Sequence, residues 1–216
     1  MPAGVGRFLD RQQAGRALAQ RLVALELPDP MVLALPRGGV PVAAEVAAAT
    51  DAPLDVLVVR KIGLPGQPEF GVGAVAEGAE PLFDDAVLSR LGLARQDLAD
   101  AVAREREELA CRVARYRGSR PLPETTGRTV VLVDDGVATG VTARAALQAL
   151  RRTEPARLVL AVPVCAPDAA LALARDADHV VCVLQPDAFG AVGAWYDRFE
   201  QITDPQVLEL LAVARR

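Results

Sequence analysis

This chain contains only one lysine and three cysteines. The three cysteines lie far apart and form no C-x-x-C pair, which argues against a disulfide framework and against a zinc site. Cys165 and Cys182 stand inside apolar runs, where cysteine usually serves as a small hydrophobic residue. This cysteine usage favours a protein of the reducing cytoplasm.

Long apolar runs and an excess of positive charge are missing as well. No stretch of about 18 uninterrupted apolar residues occurs, so the sequence predicts no membrane-spanning helix. The N-terminal segment MPAGVGRFLDRQQAG has no apolar core of the kind that signal peptides carry. With a net charge of −4 and a pI of about 5.2, the chain as a whole offers no basic surface for nucleic acid. We therefore expect a cytoplasmic protein with neither a membrane nor a nucleic-acid partner.

Aromatic residues contribute only 4% of the chain although apolar residues make up 51%, which indicates a globular fold with an aliphatic core. Short apolar runs alternate with segments of helical periodicity, a pattern typical of βαβ units on a parallel sheet. The predicted strands are 31–35, 54–60, 73–77, 129–134, 157–164 and 179–184, and the predicted helices are 8–25, 40–49, 140–152 and 167–175. The expected fold class is α/β, with a mostly parallel central sheet flanked by helices.

The length of 216 residues fits a single domain, 1–216. We predict a core at about 28–185 and a small subdomain built from the N-terminal segment and about 186–216. A helical insertion is expected at about 84–118, where the sequence reads as a short helix followed by a long one rich in arginine and glutamate.

The segment VVLVDDGVATGVT, residues 130–142, places two aspartates directly after a predicted strand. In open α/β sheets, ligands bind beyond the carboxyl ends of the strands. The small-residue turn after Asp134 and Asp135 opens a helix, so its backbone N–H groups favour an anion such as phosphate. The adjacent carboxylates need hydroxyl donors or a cation, and a ribose 5-phosphate would satisfy both halves of the segment. The alternative is that Asp135 and Thr139 only cap the helix.

This segment closely resembles the phosphoribosyl-pyrophosphate (PRPP) signature of the type I phosphoribosyltransferases. The resemblance implies that Asp134 and Asp135 hold the ribose hydroxyls and that the turn holds the 5′-phosphate. The turn residues implied in binding PRPP are Gly136, Val137, Ala138, Thr139, Gly140, Val141 and Thr142. The implied cofactor is Mg²⁺, carried by PRPP, with the two aspartates as candidate ligands. Gly136 is a mild departure, because the family commonly has an apolar residue there.

A second strand end agrees with this resemblance. The strand at 31–35 runs into the segment PRGG, in which two glycines allow the backbone to approach a ligand closely and an arginine adds positive charge. Beside the first motif, this segment resembles the pyrophosphate loop of the family. The resemblance therefore assigns Arg37, Gly38 and Gly39 to the pyrophosphate of PRPP.

A third strand end carries Arg60 and Lys61, the latter being the only lysine among 24 basic residues. In a chain that otherwise uses arginine, a compact ammonium at the carboxyl end of a strand favours a phosphate-facing role. The resemblance assigns both residues to the pyrophosphate. The residues that follow, IGLPGQPEFGVG, are expected to form an irregular, mobile loop that closes over the reacting centre and excludes water.

The resemblance also implies a reaction, in which a nitrogenous base displaces pyrophosphate from C1 of PRPP. The residues implied in catalysis are Arg37, Lys61, Asp134 and Asp135. The C-terminal segment more loosely resembles the hood, the small subdomain that covers the base in this family. Phe189 and Trp195 are candidates for stacking on the base, with packing of the subdomain as the alternative. Because family members are usually dimers or larger, a homodimer is expected.

The sequence does not identify the acceptor base. Family members that act on 6-oxopurines commonly carry an acidic residue within the turn, and Ala138 stands at that position. The expected enzyme is therefore a phosphoribosyltransferase of purine or pyrimidine salvage that is not of the 6-oxopurine type. Glu69 and Glu77 are candidates for the general base.

Two other functions stay open at this point. A regulator that senses PRPP or a nucleotide would keep the fold and the site but lose turnover, although the acidic pI and the lack of a DNA-binding module count against it. Another phosphate-handling α/β protein, such as a sugar-phosphate hydrolase, is the second alternative. Release of pyrophosphate in the presence of different bases would separate the three.

Overall fold

The computed structural model describes residues 6–64 and 66–214, except for the side chains of Pro68 and Glu69. The strands are β1 (Pro30–Ala34), β2 (Leu54–Val56), β3 (Val59–Leu64), β4 (Gln67–Ala76), β5 (Leu82–Phe83), β6 (Thr129–Val133), β7 (Arg157–Val164) and β8 (His179–Leu184). The helices are α1 (Arg11–Val23), α2 (Gly39–Thr50), α3 (Asp85–Leu91), α4 (Ala99–Arg117), α5 (Val141–Arg151), α6 (Pro167–Leu173) and α7 (Asp204–Ala214). Two short 3-10 helices lie at Arg95–Leu98 and Val192–Trp195.

Five of the strands form one parallel sheet in the order β2–β1–β6–β7–β8. Strands β1 and β6 are neighbours, with Ala34 beside Val133 at their carboxyl ends. The turns that follow these two strands therefore start side by side at one edge of the sheet. This arrangement confirms the predicted α/β class with a mostly parallel central sheet.

Helices cover both faces of the parallel sheet. In β6, Val131 and Val133 pack in the apolar layer that includes α1, α2 and α7, whereas Val130 and Leu132 pack against α5 and α6. Successive side chains of a strand point to opposite faces, so a strand covered on both sides must be apolar throughout. This is why the central strands are recognisable in the sequence as continuous apolar runs.

Strands β3, β4 and β5 form a separate antiparallel sheet, and here the sequence prediction was wrong. The predicted strand 54–60 is divided between β2 and β3, which belong to different sheets. The residues after Lys61 form a β3–β4 hairpin instead of an irregular loop. Gly73 serves close packing, since a Cβ atom there would overlap the backbone of Leu82 in β5. A Cβ atom on Gly66 or Gly71 would make no such overlap with the described residues. All the glycines of the hairpin hide the alternating pattern by which a strand is normally recognised.

The predicted insertion at about 84–118 is helical, as expected, and consists of α3, the short 3-10 helix and α4. Asp84 begins α3 as its N-cap, because its carboxylate accepts a hydrogen bond from Val87 N at 3.0 Å. Helix α4 packs against β3, so the insertion supports the hairpin. None of the helices in the described ranges combines the length and the apolar composition that a membrane crossing requires.

The beginning of the described chain meets a segment close to its end. Phe8 N donates to Trp195 O and Asp197 N donates to Phe8 O, both at 2.8 Å. The rings of Phe8 and Tyr196 lie 5.6 Å apart, and Phe8 is fully buried. Helix α7, in contrast, packs on α2 in the helical layer of the central sheet. The N-terminal segment and residues 189–199 thus form a small cluster beside the carboxyl ends of the strands.

Candidate active site

A cavity of about 220 Å³ lies at the carboxyl ends of the central strands. It is lined by Lys61, Asp134, the turn residues 136–143 and Val192. Three separate parts of the sequence therefore meet here: the β3–β4 hairpin, the turn after β6, and the segment after β8. The cavity brings together most of the residues that the sequence assigned to PRPP.

The turn after β6 is shaped to present backbone N–H groups to the cavity. Gly140 has a φ of +79°, a conformation that L side chains rarely adopt, and it directly precedes α5. The first bond of this helix region joins Arg144 N to Gly140 O, so the amides of 141–143 have no partner within the helix. At its start the turn is fixed to the sheet, because Val137 N donates to Val164 O at 2.9 Å. The result is a helix N-terminus with amides that have no partner within the helix, tied to the sheet at its start, and this geometry favours an anion.

The two aspartates occupy different environments. Asp134 is half-buried and lines the cavity, and its Oδ1 accepts a hydrogen bond from Asp135 N at 2.8 Å. The Asp135 carboxylate instead accepts from Arg11 Nε at 2.8 Å. Burial, followed by the charge of Asp135, raises the pKa of Asp134 well above its usual range. Burial also raises the pKa of Asp135, while the Arg11 guanidinium opposes that rise.

Arg11 is the cation that compensates the acidic pair, and the sequence analysis did not identify it. It is the first residue of α1, and its NH1 group donates to Glu200 O at 2.9 Å. Its guanidinium carbon lies 3.8 Å from the centroid of the Phe199 ring, a cation–π geometry. Arg11 and Asp135 are 124 positions apart in the sequence. The acidic pair required a cation nearby, but nothing in the sequence pattern singled out this arginine.

The segment PRGG forms the turn between β1 and α2, beside the acidic pair. The peptide bond between Pro36 and Arg37 is cis. A Cβ atom on Gly38 would overlap the carboxylate of Asp135, and one on Gly39 would lie 2.7 Å from Val133 O. Both glycines are therefore required by close approach of this turn to the end of β6. We call residues 36–39 the pyrophosphate turn, after the role that the resemblance gives it.

Neighbouring residues of β3 point to different surroundings. Lys61 is exposed and lines the cavity. Arg60 Nε donates to Glu105 Oε2 of α4 at 2.8 Å, so this side chain is bound on the helical side of the hairpin. Alternation along a strand explains the separation. Of the two basic residues assigned to pyrophosphate, the structure brings only Lys61 to the cavity.

The two candidate general bases are not equivalent. Glu77, which follows β4, forms an ion pair with Arg117, whose side chain is 1% exposed. This buried pair joins the hairpin to the end of α4 and is a structural contact. Glu69 lies in β4, and its side chain is outside the described part of the chain.

Phe189 and Trp195 pack within the small cluster next to the cavity. Phe189 is buried together with Phe8, Val164 and Tyr196. The indole N–H of Trp195 donates to Phe189 O at 2.8 Å. Neither residue lines the cavity of the described site; Val192 does, and its side chain packs on Gly136. In the structure these two aromatic residues pack within the cluster, and stacking on a base stays a prediction.

A family model for the phosphoribosyl transferase domain matches residues 5–197 of the chain. Two Mycobacterium tuberculosis proteins, from strains H37Rv and CDC 1551, are 47% identical to it over 210 residues and are named "Putative phosphoribosyl transferase". The match covers 97% of this chain and 47% of each relative, so the chain spans about half the length of these curated relatives.

A solved structure, that of TT1426 from Thermus thermophilus, is 48% identical and superimposes with a TM-score of 0.80. The similarity covers 95% of this chain and 97% of that one. The family model spans most of the chain, and the relatives and the solved structure agree in sequence and in fold. The chain therefore belongs to the type I phosphoribosyltransferase family.

Proposed function

We propose that this protein transfers ribose 5-phosphate from PRPP to a nitrogenous base and releases pyrophosphate. The observation that carries the proposal is the single cavity in which Asp134, Lys61 and the amides of the 136–142 turn converge. A ligand with a phosphate at one end, a diol beside it and a second anionic group fits this set of donors and acceptors. PRPP is such a ligand, and the family to which the chain belongs supports the choice.

The roles of the side chains follow from their positions. The 136–142 turn and the N-terminus of α5 bind the 5′-phosphate. Asp134 accepts hydrogen bonds from the ribose hydroxyls. Lys61, which lines the cavity, binds the pyrophosphate, whose negative charge increases as its bond to C1 breaks and the base nitrogen bonds to C1. Arg37, which is not among the described residues that line the cavity, takes the same role from the family resemblance. Catalysis on this account rests on positioning and on neutralising the leaving group.

The site is compatible with Mg²⁺ brought by the substrate. Within the described ranges, no group of three or more His, Cys, Asp or Glu residues is placed to hold a metal ion. Mg²⁺ usually keeps several waters and combines one or two carboxylates with substrate phosphates. Asp134, whose pKa is raised by burial and by Asp135, gains from a nearby cation. When bound, the ion would neutralise charge on the pyrophosphate oxygens.

The acceptor in our proposal is a base other than a 6-oxopurine. Asp134 is the only carboxylate among the described residues that line the cavity, and Ala138 occupies the position at which 6-oxopurine members carry an acid. Glu77 is engaged with Arg117 and does not supply the missing group. A base that needs no deprotonation by the turn fits this site best. The homodimer and the cytoplasmic location stay predictions.

The experiment that tests this function follows pyrophosphate release from PRPP with Mg²⁺ and a panel of purine, pyrimidine and other nitrogenous bases. We expect release that depends on one class of base and is slow with hypoxanthine and guanine. Binding of PRPP without release under any condition would contradict turnover and favour a sensor. Release that needs no base would favour a hydrolase.

A further inference from the structure

Arg37 is the cationic side chain of the pyrophosphate turn, yet it is not part of the cavity wall. Lys61 is among the described residues that line the cavity, and Arg37 is not. The Arg37 side chain is 28% exposed, and its Nη1 atom lies 3.9 Å from Oδ1 of Asp204, the first residue of α7. In the ligand-free protein the guanidinium is therefore paired with α7 and stays outside the place where pyrophosphate is expected.

The carboxylate of Asp204 is held by donors other than Arg37. The Tyr116 hydroxyl donates to Oδ1 at 2.5 Å, and Arg115 donates to Oδ2. Both donors belong to the last turn of α4, so the carboxylate joins α4 to the start of α7. Helix α7 is also anchored by the fully buried Val207. The position of Asp204 consequently does not depend on Arg37.

Arg37, in contrast, is bound weakly to its partner. Its side chain forms the ion pair with Asp204 and no hydrogen bond to any described residue. A separation of 3.9 Å is too long for a hydrogen bond, and water and salt screen a partly exposed ion pair. The backbone of the turn is fixed, because Gly38 and Gly39 pack closely around the end of β6. The part of this contact that can change is therefore the Arg37 side chain.

Pyrophosphate is a stronger partner for this guanidinium than Asp204. A carboxylate carries one negative charge, whereas pyrophosphate carries several, and its oxygens can accept two parallel hydrogen bonds from an arginine. Asp204 already accepts from Tyr116 and Arg115, which leaves less of its acceptor capacity for Arg37. A bound pyrophosphate should therefore displace Asp204 from Arg37, and the affinity is lowered by the ion pair that is lost.

We propose that Asp204 is a positioning residue for pyrophosphate that acts through Arg37. In the ligand-free protein it holds the guanidinium outside the cavity, and the pyrophosphate end of the substrate takes the guanidinium over on binding. Asp204 touches no substrate in this arrangement. It favours release of pyrophosphate after the reaction, because the ion pair forms again when pyrophosphate leaves. The inference rests on the proposed function, in which Arg37 contributes to the pyrophosphate site.

The test measures binding of magnesium pyrophosphate to the full chain by calorimetry, with Asp204→Asn introduced into three backgrounds. In the wild-type background it should tighten binding by about two- to fivefold, because Arg37 no longer leaves a carboxylate when the ligand binds. In the Lys61→Met background it should tighten binding by about the same factor, since Arg37 is still present. In the Arg37→Met background it should change binding by less than about 1.5-fold.

Lys61→Met and Arg37→Met remove the same charge, so the comparison between them separates the Arg37 contact from net charge. Equal tightening in these two backgrounds, or no tightening in the wild-type background, would overturn the inference. If Asp204→Asn does not fold, Asp204→Ser removes the same charge near a helix start, where serine is favoured, and replaces it in all three backgrounds. A wild-type protein that binds neither magnesium pyrophosphate nor PRPP would instead overturn the proposed function, and this inference with it.

Discussion

The guanidinium of Arg37 lies 3.9 Å from the carboxylate of Asp204, the first residue of α7. The same carboxylate accepts hydrogen bonds from the Tyr116 hydroxyl at 2.5 Å and from Arg115. These donors, Tyr116 first, hold the pKa of Asp204 below its usual range. An aspartate whose pKa is lowered, and which is therefore ionised at neutral pH, stands beside the arginine that is assigned to pyrophosphate.

Asp204→Asn should tighten the binding of magnesium pyrophosphate by about two- to fivefold, because it removes a partly buried negative charge near Arg37. Calorimetry measures the change. The Tm should fall by roughly 2–4 °C, since Tyr116 and Arg115 lose an ionised acceptor. Asp29→Asn is the control: Asp29 also pairs with an arginine, Arg128, but at the amino end of the central sheet. If both variants bind magnesium pyrophosphate more tightly to the same extent, the change in net charge and not the position of Asp204 explains the effect.

Lys61 and Arg60 form a natural matched pair for testing the pyrophosphate site. Lys61→Met should lower kcat/KM for PRPP by about 10- to 100-fold, because it removes a cation that faces the leaving group. Arg60→Met removes only a pair with Glu105 and should leave kcat/KM within about twofold of the wild type, with less than ~1 kcal/mol lost in stability. Steady-state kinetics and thermal unfolding of the two variants check both statements. A larger kinetic loss in Arg60→Met than in Lys61→Met would refute this assignment.

The contribution of the acidic pair to the stability of the ligand-free protein should fall as the pH rises above about 4, the pKa of an aspartate in an unfolded chain. Burial and the charge of Asp135 raise the pKa of Asp134 in the folded protein. At a pH between the unfolded pKa and this raised folded pKa, the folded protein binds more protons than the unfolded chain, so this contribution to stability falls as the pH increases. Arg11 and Tyr196 contact Asp135, and Lys61 lines the same cavity as Asp134.

Asp134→Asn should remove most of this dependence and raise the Tm at neutral pH by roughly 2–4 °C. Thermal unfolding of both proteins at several pH values between about 5 and about 8 gives the two slopes. The prediction fails if the slopes are the same. The stabilised variant should nevertheless bind ribose 5-phosphate more weakly, as expected where function maintains an unfavourable charge.

Gly140→Ala should weaken phosphate binding and lower stability together. Its φ of +79° costs an alanine about 1 kcal/mol, and the new methyl group would lie 3.1 Å from the Leu173 side chain. Gly190→Ala is the control for strain alone, because Gly190 has a φ of +65° and nothing lies within 4 Å of the methyl group that alanine would add. Both variants should lose stability in thermal unfolding, but only Gly140→Ala should lose affinity for ribose 5-phosphate in calorimetry. Unchanged affinity in Gly140→Ala would contradict the assigned role of the turn.

The parts of the fold that were predictable are those in which burial dictates composition. Strand β6 is apolar at every position because helices cover both of its faces, so the sequence reveals it directly. The β3–β4 hairpin is half-exposed, contains glycines at 63, 71 and 73, and has an irregular register near Ile62. Because the residue types of the hairpin do not show the alternating pattern of a strand, the sequence predicted a loop there.

The site was predictable where a local motif encodes it and not where distant residues complete it. The 130–142 segment carries its turn, its acids and its helix start within one continuous stretch, so the candidate PRPP contacts could be named from it. Arg11 could not, because one buried arginine looks like the other arginines until the fold places it beside Asp135. The difference between Arg60 and Lys61 likewise depended on which face of β3 turns toward α4.

The contacts around Asp135 also have a consequence for the order in which the molecule assembles. Arg11 reaches its carbonyl partner at Glu200 across 189 positions of sequence, and its carboxylate partner across 124. Contacts of such long range form late, because the loop that joins them must be closed first. During synthesis, the parallel sheet can be in place before residue 200 has emerged, while the acidic motif still lacks its cation. The acidic motif would therefore be the last part of the strand-end region to gain its compensating charge.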